Sequence, residues 1–257
     1  MTYSIVAWDK ATGMTGVAVA TKHLAVGSLV PHARAGVGAV ATQANTNPYL
    51  GCWGLDRLES FQRQGHGSSG ARQTLDSLLR DDPGRDGRQV HLVDADGNTA
   101  AWTGLDCAGH AGHLCFPGFS VAGNYLTGPE PLAAMAGSYQ HAYEQGHPFE
   151  LRLLRAIEAC DAAGGDLRGR QSAAILVMHR ESYPLFDFRV DHHPDPLRVM
   201  GEILEETRQS YYINFRATLP TDASVATDLP NPFPTSVPHL DAVPDPIETS
   251  APTPLAA

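Results

Sequence analysis

The alternation of apolar and polar residues predicts a series of short strands in the first 219 residues. Residues 2–8 are rich in β-forming side chains, residues 9–13 have turn chemistry, and residues 14–20 resume the apolar pattern. This combination predicts a β-hairpin at the start of the chain. Further strands are predicted over residues 36–42, 88–94, 99–103, 119–122, 171–178 and 183–190.

Apolar residues at helical spacing predict five helices between and after these strands. The first contains Leu55, and the second has Ser68 or Ser69 as its candidate N-cap. The other three span about 129–144, about 149–163, and a stretch from Pro196 that includes Tyr211. Residues 104–118 have no regular pattern, and we expect them to form a loop.

The order of these elements predicts an α+β fold. Antiparallel hairpins joined by helix pairs are typical of two mainly antiparallel sheets packed face to face between helices, and a two-layer α+β sandwich is the alternative. Residues 220–257 contain nine prolines and almost no aromatic residues. We therefore expect one domain over residues 1–219, followed by a disordered acidic tail over residues 220–257.

Composition and charge narrow the possible partners. No stretch approaches the ~20 apolar residues of a membrane span, and the N-terminus lacks the features of a secretory signal, so we expect a cytoplasmic protein without a membrane partner. The net charge of −10 argues against nucleic-acid binding. The four cysteines form no Cys-x-x-Cys pair, so we expect reduced thiols, no structural metal and no cofactor.

Thr2 is the candidate nucleophile. It follows the initiator methionine and is small enough for methionine aminopeptidase to remove Met1, which would place a hydroxyl and a free α-amine on one residue. An α-amine titrates near pH ~8 and can therefore accept the hydroxyl proton at neutral pH. Many cytosolic proteins begin with Met-Thr, so the residue alone does not establish catalysis.

Several motifs, taken in order, resemble the DUF1028 family over roughly residues 2–210. They are Thr2-x-Ser-Ile-Val-Ala, the runs 16–28 and 33–43, Arg88-Gln-Val, Cys107 to His113, Gly123-Asn124 and the run 164–173. That family is grouped with the N-terminal nucleophile (Ntn) hydrolases. The resemblance implies a four-layer αββα sandwich and a nucleophilic Thr2, and it implies a reaction class more firmly than a substrate.

Attack by Thr2 on a carbonyl would create an oxyanion that needs donors about 3 Å away. Asn124, at the end of a predicted strand, suits this role, and Gln43 and Asn45 supply further amides for substrate binding. Lys22 looks like the charged residue that proteasome-type relatives place beside the nucleophile, where an ammonium would depress the pKa of the α-amine. Those relatives carry an aspartate at this point and a lysine one strand later, a pattern that this sequence lacks.

The loop before the strand at 171–178 holds the remaining candidates. Similar enzymes keep an Asp and a Ser here to orient the N-terminal amine, which implies this role for Asp166 and Ser172, with Arg168 and Gln171 as substrate contacts. His113 is a further candidate contact. Its spacing from neighbouring His and Cys residues does not suggest a metal site. Loop packing or surface hydrogen bonding is the alternative role for each of these residues.

The resulting hypothesis is an Ntn-type amidohydrolase that cleaves a small amide or acylated amine through an acyl-enzyme ester on Thr2. A catalytically inactive binding or scaffold protein with the same fold is one alternative. A hydrolase that uses a metal, or Cys52 or Cys107 as nucleophile, is another. The expected partner is a small molecule, and the expected assembly is a homodimer.

Overall fold

The computed structural model describes residues 2–65 and 69–225. The chain divides into two compact units, residues 1–219 and residues 220–257. In the second unit, a short helix spans Asp222–Val225. The rest of the predicted tail, residues 226–257, lies outside the described residues, as do Met1 and the candidate N-cap Ser68.

The strands and helices of the described residues are as follows. The strands are β1 (Thr2–Trp8), β2 (Thr15–Thr21), β3 (Pro31–Arg34), β4 (Gly38–Ala44), β5 (Arg88–Asp94), β6 (Thr99–Thr103), β7 (His110–Phe116), β8 (Phe119–Leu126), β9 (Ser172–Met178) and β10 (Phe186–Val190). The helices are α1 (Tyr49–Arg63), α2 (Gly70–Asp81), α3 (Glu130–Glu144), α4 (Phe149–Ala162), α5 (Pro196–Glu206), α6 (Ser210–Ala217) and α7 (Asp222–Val225).

The strands form two antiparallel sheets, which confirms the predicted mixture of helices with antiparallel strands. The larger sheet has the order β10-β9-β2-β1-β8-β7, and the smaller has the order β3-β4-β5-β6. The predicted pairings of β1 with β2, β5 with β6 and β9 with β10 are present. Strand β1 is central in the larger sheet, because β2 and β8 flank it on both sides.

Three apolar clusters follow from the alternation of side chains along the strands. Ile5 and the other apolar residues on the same face of the larger sheet pack against α3, α4 and α5. Val40 and Leu92 of the smaller sheet pack with α1 and α2. Val6 and Val93 belong to the third cluster, between the two sheets. Successive residues of β1 therefore face the helices and the other sheet in turn.

Three sequence-based predictions about local structure are wrong. Residues 110–116, predicted as loop, form the edge strand β7, and β3 was not predicted. Both are edge strands that pair on one side, β7 with β8 and β3 with β4, so neither requires the apolar alternation of a buried strand. The helix predicted from Pro196 is two helices, because α5 ends at Glu206 and α6 begins at Ser210.

Candidate functional site

A row of polar residues crosses the larger sheet at the start of β1. The strand register pairs Thr2 with Thr21, and Thr21 with Ser172 of β9. Directly opposed residues project to the same face of a sheet, and this face is the one that Val6 turns toward the smaller sheet. All three members of the row are buried. The Oγ1 atoms of Thr2 and Thr21 are 3.2 Å apart.

Side-chain amides from both sheets meet beside this row. Gln43 Nε2 donates to Gln89 Oε1 at 2.8 Å and to the carbonyl oxygen of Thr2 at 3.4 Å. Asn124 Nδ2 donates to the same Gln89 oxygen at 3.0 Å. Two residues that the sequence analysis proposed separately, Gln43 and Asn124, are therefore held at one point near Thr2.

Gln89, which the sequence analysis did not single out, is the centre of this network. It is fully buried, and its Nε2 contacts Thr103 Oγ1 at 2.9 Å and the carbonyl oxygens of Gly112 and Gly123 at 3.0 and 2.9 Å. Gln89 thus joins the smaller sheet to β7 and β8 of the larger one. A signal for it exists in the sequence, because polar residues 89 and 91 alternate with Val90 and Leu92 and must share a face.

His91 is the second residue that sequence analysis missed. Its Nε2 lies 2.8 Å from Ser4 Oγ, and its Nδ1 lies 2.9 Å from Ser120 Oγ. Ser4 donates its single hydrogen to Gln43 Oε1 at 2.7 Å, so it must accept from His91 Nε2–H. Nδ1 then accepts from Ser120. Burial lowers the pKa of His91 to about 3, and the ring is neutral at pH 7.

Asp166 is attached to the end of β8. It forms a β-bridge with Leu126, two residues beyond Asn124 on β8, and β8 is the neighbour of β1 that pairs Gly123 with Tyr3. Its Oδ1 accepts from the backbone N–H of Arg168 at 2.7 Å. Its Oδ2 is buried and has no hydrogen-bond partner among the described residues. A buried carboxylate oxygen without a donor is costly and therefore calls for an explanation.

The other residues of this loop serve its attachment to the sheet. The backbone N–H of Gln171 donates to the carbonyl oxygen of Thr21 at 2.7 Å. The hydroxyl of Ser172 donates to the carbonyl oxygen of His23 at 2.6 Å and accepts from the N–H of Val26 at 3.1 Å. Ser172 thereby fixes the turn after β2, and these two bonds direct its hydroxyl to that turn.

Three further candidates are exposed at the surface. Lys22 follows Thr21 directly and is exposed. The guanidinium of Arg168 lies 5.1 Å from the centre of the Tyr125 ring. Asn45 is exposed, and its backbone N–H donates to the carbonyl oxygen of Gly87 at 2.9 Å.

His113 lies at the outer end of the amide network. Its Nδ1 is 2.9 Å from Thr103 Oγ1, the atom that also accepts from Gln89 Nε2. A hydroxyl oxygen can accept two hydrogen bonds and donate one, so the tautomer of His113 decides whether Thr103 or the ring is the donor in this bond. Partial desolvation lowers the pKa of His113. A chain of hydrogen bonds thus connects this exposed imidazole to the buried amides near Thr2.

No group of three or more His, Cys, Asp or Glu able to hold a metal ion occurs within residues 2–65 and 69–225. No helix in the same ranges is both long enough and apolar enough to cross a membrane.

Comparison with known proteins identifies the family. A family model described as "Family of unknown function (DUF1028)" matches residues 2–200. The chain belongs to the DUF1028 family. This DUF1028 chain is similar to the crystal structure of protein SPO2555 from Silicibacter pomeroyi, of the same family, with 30% identity, a TM-score of 0.77, and coverage of 87% of this chain and 96% of that one.

A second solved structure that is similar is Anbu, the ancestral beta-subunit, from Yersinia bercovieri. The identity is 12% and the TM-score is 0.39, with coverage of 85% of this chain and 98% of that chain. The search of curated proteins found no match.

Proposed function

We propose that this protein is an Ntn-type amidohydrolase with a four-layer αββα sandwich, and that Thr2 attacks the carbonyl carbon of a small amide or acylated amine. The observation that carries the proposal is the position of Thr2. It is the first residue of the central strand, and its hydroxyl is buried within hydrogen-bonding distance of Thr21, next to the amide network. Met1 lies outside the described residues, and its removal is part of the proposal.

The proposed chemistry uses Thr2 twice. Its α-amine takes the proton of Oγ1 while Oγ1 bonds to the carbonyl carbon and gives a tetrahedral oxyanion. The protonated amine then gives its proton to the leaving nitrogen, the C–N bond breaks, and an ester remains on Thr2. A water molecule then attacks the ester carbonyl carbon while the same amine takes its proton, and the amine returns that proton to Oγ1 as the ester C–O bond breaks, which releases the acid and restores Thr2.

The amide network supports a role in stabilising the oxyanion. An amide nitrogen carries two hydrogens, and Asn124 uses one of them to donate to Gln89 Oε1. The second N–H is the proposed oxyanion donor. Gln89 is then a positioning residue, because it holds the Asn124 amide without itself contacting substrate. A preorganised donor of this kind contributes roughly 3–4 kcal/mol to transition-state stabilisation.

Asp166 supports a role in orienting the amine. Its Oδ2 is buried and lacks a donor among the described residues, and its bridge to Leu126 attaches it to β8, the strand that pairs with β1. The α-amine that Met1 removal would create is a suitable donor for this oxygen. An N–H bond to Asp166 would leave the nitrogen lone pair free to accept the proton of Thr2 Oγ1.

The other residues that the sequence analysis selected are proposed to have supporting roles. Lys22 is the proposed cation near the amine, Ser172 holds the turn that carries Lys22, and Gln43, Asn45, His113, Arg168 and Gln171 are proposed to contact substrate. The cytoplasmic location, the small-molecule substrate and the homodimer also remain predictions.

The proposal is tested by intact mass and by substitution of Thr2. We expect the purified protein to lack Met1 and, in a screen of small amides, to form an acyl adduct that peptide mass spectrometry assigns to Thr2. Thr2→Ala should lower turnover by roughly 10³-fold or more, and Thr2→Ser should retain part of it. Thr15→Ala, a buried threonine at the far end of the neighbouring strand, is the matched control and should keep its activity.

Two outcomes would overturn the proposal: a mature protein that retains Met1, or near-normal turnover by Thr2→Ala. The second candidate function is a non-catalytic small-molecule binding protein. The burial of Thr2 favours it, because a residue that is 6% exposed offers little surface to an incoming substrate. A retained Met1 without any acyl adduct would favour this candidate.

A further inference from the structure

A cavity of about 330 Å³ lies at the other end of β1 from Thr2. Its walls include the rings of Trp8, Phe119, Tyr139 and Tyr143, and its charged lining residues are Lys10 and Asp96. Trp8 is six residues from Thr2 along the same strand, a separation of roughly 20 Å at ~3.4 Å per residue. The cavity is therefore separate from the site proposed above. Its volume falls in the range of ~300–1,000 Å³ that is usual for small-molecule sites.

The base of this cavity is preformed by turns from both sheets. The N–H of Trp8 donates to the carbonyl oxygen of Gly118 at 2.8 Å. The N–H of Gly118 in turn donates to the carbonyl oxygen of Gly97 at 2.8 Å. Gly97 has φ +82, and a Cβ at this position would lie 2.8 Å from the Trp8 ring. Glycine is thus required for the indole to lie against the turn. A cavity that is already formed has a lower ordering cost on binding.

The two charged lining residues are available to a ligand. Lys10 and Asp96 are exposed, and neither forms an ion pair with another residue in the described part of the chain. A ligand with both a carboxylate and an ammonium group would complement both. The net charge of −10 disfavours the approach of an anion but not that of a neutral zwitterion.

The aromatic walls define the rest of the ligand. Phe119 and Tyr139 are each 4% exposed and pack on each other with ring centroids 4.6 Å apart, so the aromatic surface open to a ligand belongs to the half-buried Trp8 and the exposed Tyr143. Flat aromatic surfaces of this kind bind apolar or aromatic groups and also attract ammonium groups over their faces. We propose that this cavity binds a small zwitterion with an apolar or aromatic body, of the chemical class of aromatic amino acids and their dipeptides.

Isothermal titration of the full-length protein with phenylalanine, N-acetylphenylalanine and phenylalaninamide tests the proposal. We expect saturable one-to-one binding of phenylalanine and at least tenfold weaker binding of the two derivatives, each of which lacks one charge. Lys10→Met should weaken the binding of phenylalanine and N-acetylphenylalanine by about tenfold. Asp96→Asn should weaken the binding of phenylalanine and phenylalaninamide, also by about tenfold.

Matched controls separate this site from general charge effects and from Thr2. Arg80→Met and Asp106→Asn each remove an exposed charge that does not line the cavity, and both should bind as the unmodified protein does. Absence of saturable binding for all three probes would overturn the proposal, as would unchanged phenylalanine binding by both Lys10→Met and Asp96→Asn. Thr2→Ala should bind phenylalanine normally. Loss of binding there would assign the ligand to the Thr2 site instead.

Discussion

The space between the two sheets has an apolar half and a polar half, and the same strands supply both. β1 contributes Val6 to the apolar half and Ser4 and Thr2 to the polar half. β5 contributes Val93 to the apolar half, and His91 and Gln89 to the polar half. Within two residue steps on the same face, the environment changes from close-packed aliphatic side chains to a continuous set of hydrogen bonds.

The two halves hold the sheets together by different means. Aliphatic contacts are non-directional, so the apolar half tolerates small shifts of one sheet against the other. The polar half tolerates only very small shifts of the sheets, because every buried donor and acceptor requires a partner at a defined distance. Aliphatic side chains in the polar half would hold the two sheets together without burying polar groups that require partners. The polar half therefore suits a function in which side-chain amides must be held in fixed positions beside Thr2.

The largest expected difference between the halves comes from β5. Gln89→Leu removes the common acceptor of Gln43 and Asn124 and the partner of two carbonyl oxygens. We expect it to lower the free energy of unfolding by about 3–5 kcal/mol, because several buried polar groups lose their partners. Val93→Ala, on the same face of the same strand, should cost roughly 1–3 kcal/mol through a small cavity.

Urea unfolding of both variants measures these free energies. An equal or larger loss for Val93→Ala would contradict the comparison, since it would mean that the polar half is no more demanding than the apolar half. Gln89→Glu is a useful third variant. It keeps the shape of Gln89 and one acceptor oxygen but loses the Nε2 donor to Gly112, Gly123 and Thr103.

The second difference is in pH dependence. The pKa of His91 is about 3 in the folded state because of burial, whereas an exposed histidine titrates near pH ~6.5. The unfolded state therefore binds more protons between these values, and stability falls as the pH falls from ~6.5 toward 3. At pH 5 this histidine alone should cost roughly 2 kcal/mol relative to pH 7.

Urea unfolding at pH 7 and pH 5 tests this contribution. His91→Gln should lose roughly 2 kcal/mol less than the unmodified protein over this interval, although it is less stable at both pH values. Val93→Ala, in the apolar half, should keep the full pH dependence. If His91→Gln and the unmodified protein lost equal stability between pH 7 and pH 5, His91 would not be the buried neutral ring described above.

Sequence patterns predicted most of the sheets because buried strands such as β2 and β9 must be apolar on both faces. They failed at the edge strands β3 and β7, which contain no buried residue, whereas the predicted edge strands β6 and β10 each contain one. The DUF1028 resemblance was confirmed by the family match over residues 2–200. Adjacent residues of a strand such as Ile5 and Val6 point to opposite faces, but the sequence could not show which element covers each face, since that depends on contacts between distant parts of the chain.

The same limit explains the outcome for the site. Gln43 and Asn124 were found because amides at strand ends are conspicuous, and the structure brings both close to Thr2. Gln89 and His91 were missed because their partners are 14 to 87 positions away. Alternation in β5 shows that these two share a face, yet only the packing of the second sheet reveals that Ser4 and Asn124 lie opposite.

The smallest expected difference between the halves concerns one hydroxyl. Thr21→Val keeps the shape of the side chain but removes the partner of Thr2 Oγ1 at 3.2 Å, and it should cost about 1 kcal/mol of unfolding free energy. Val17→Thr makes the reverse change on the same face of β2, inside the apolar half. It buries a new hydroxyl in aliphatic surroundings and should cost roughly 1–3 kcal/mol. A larger loss for Thr21→Val than for Val17→Thr would mean that the Thr2–Thr21 contact contributes more than an ordinary hydrogen bond.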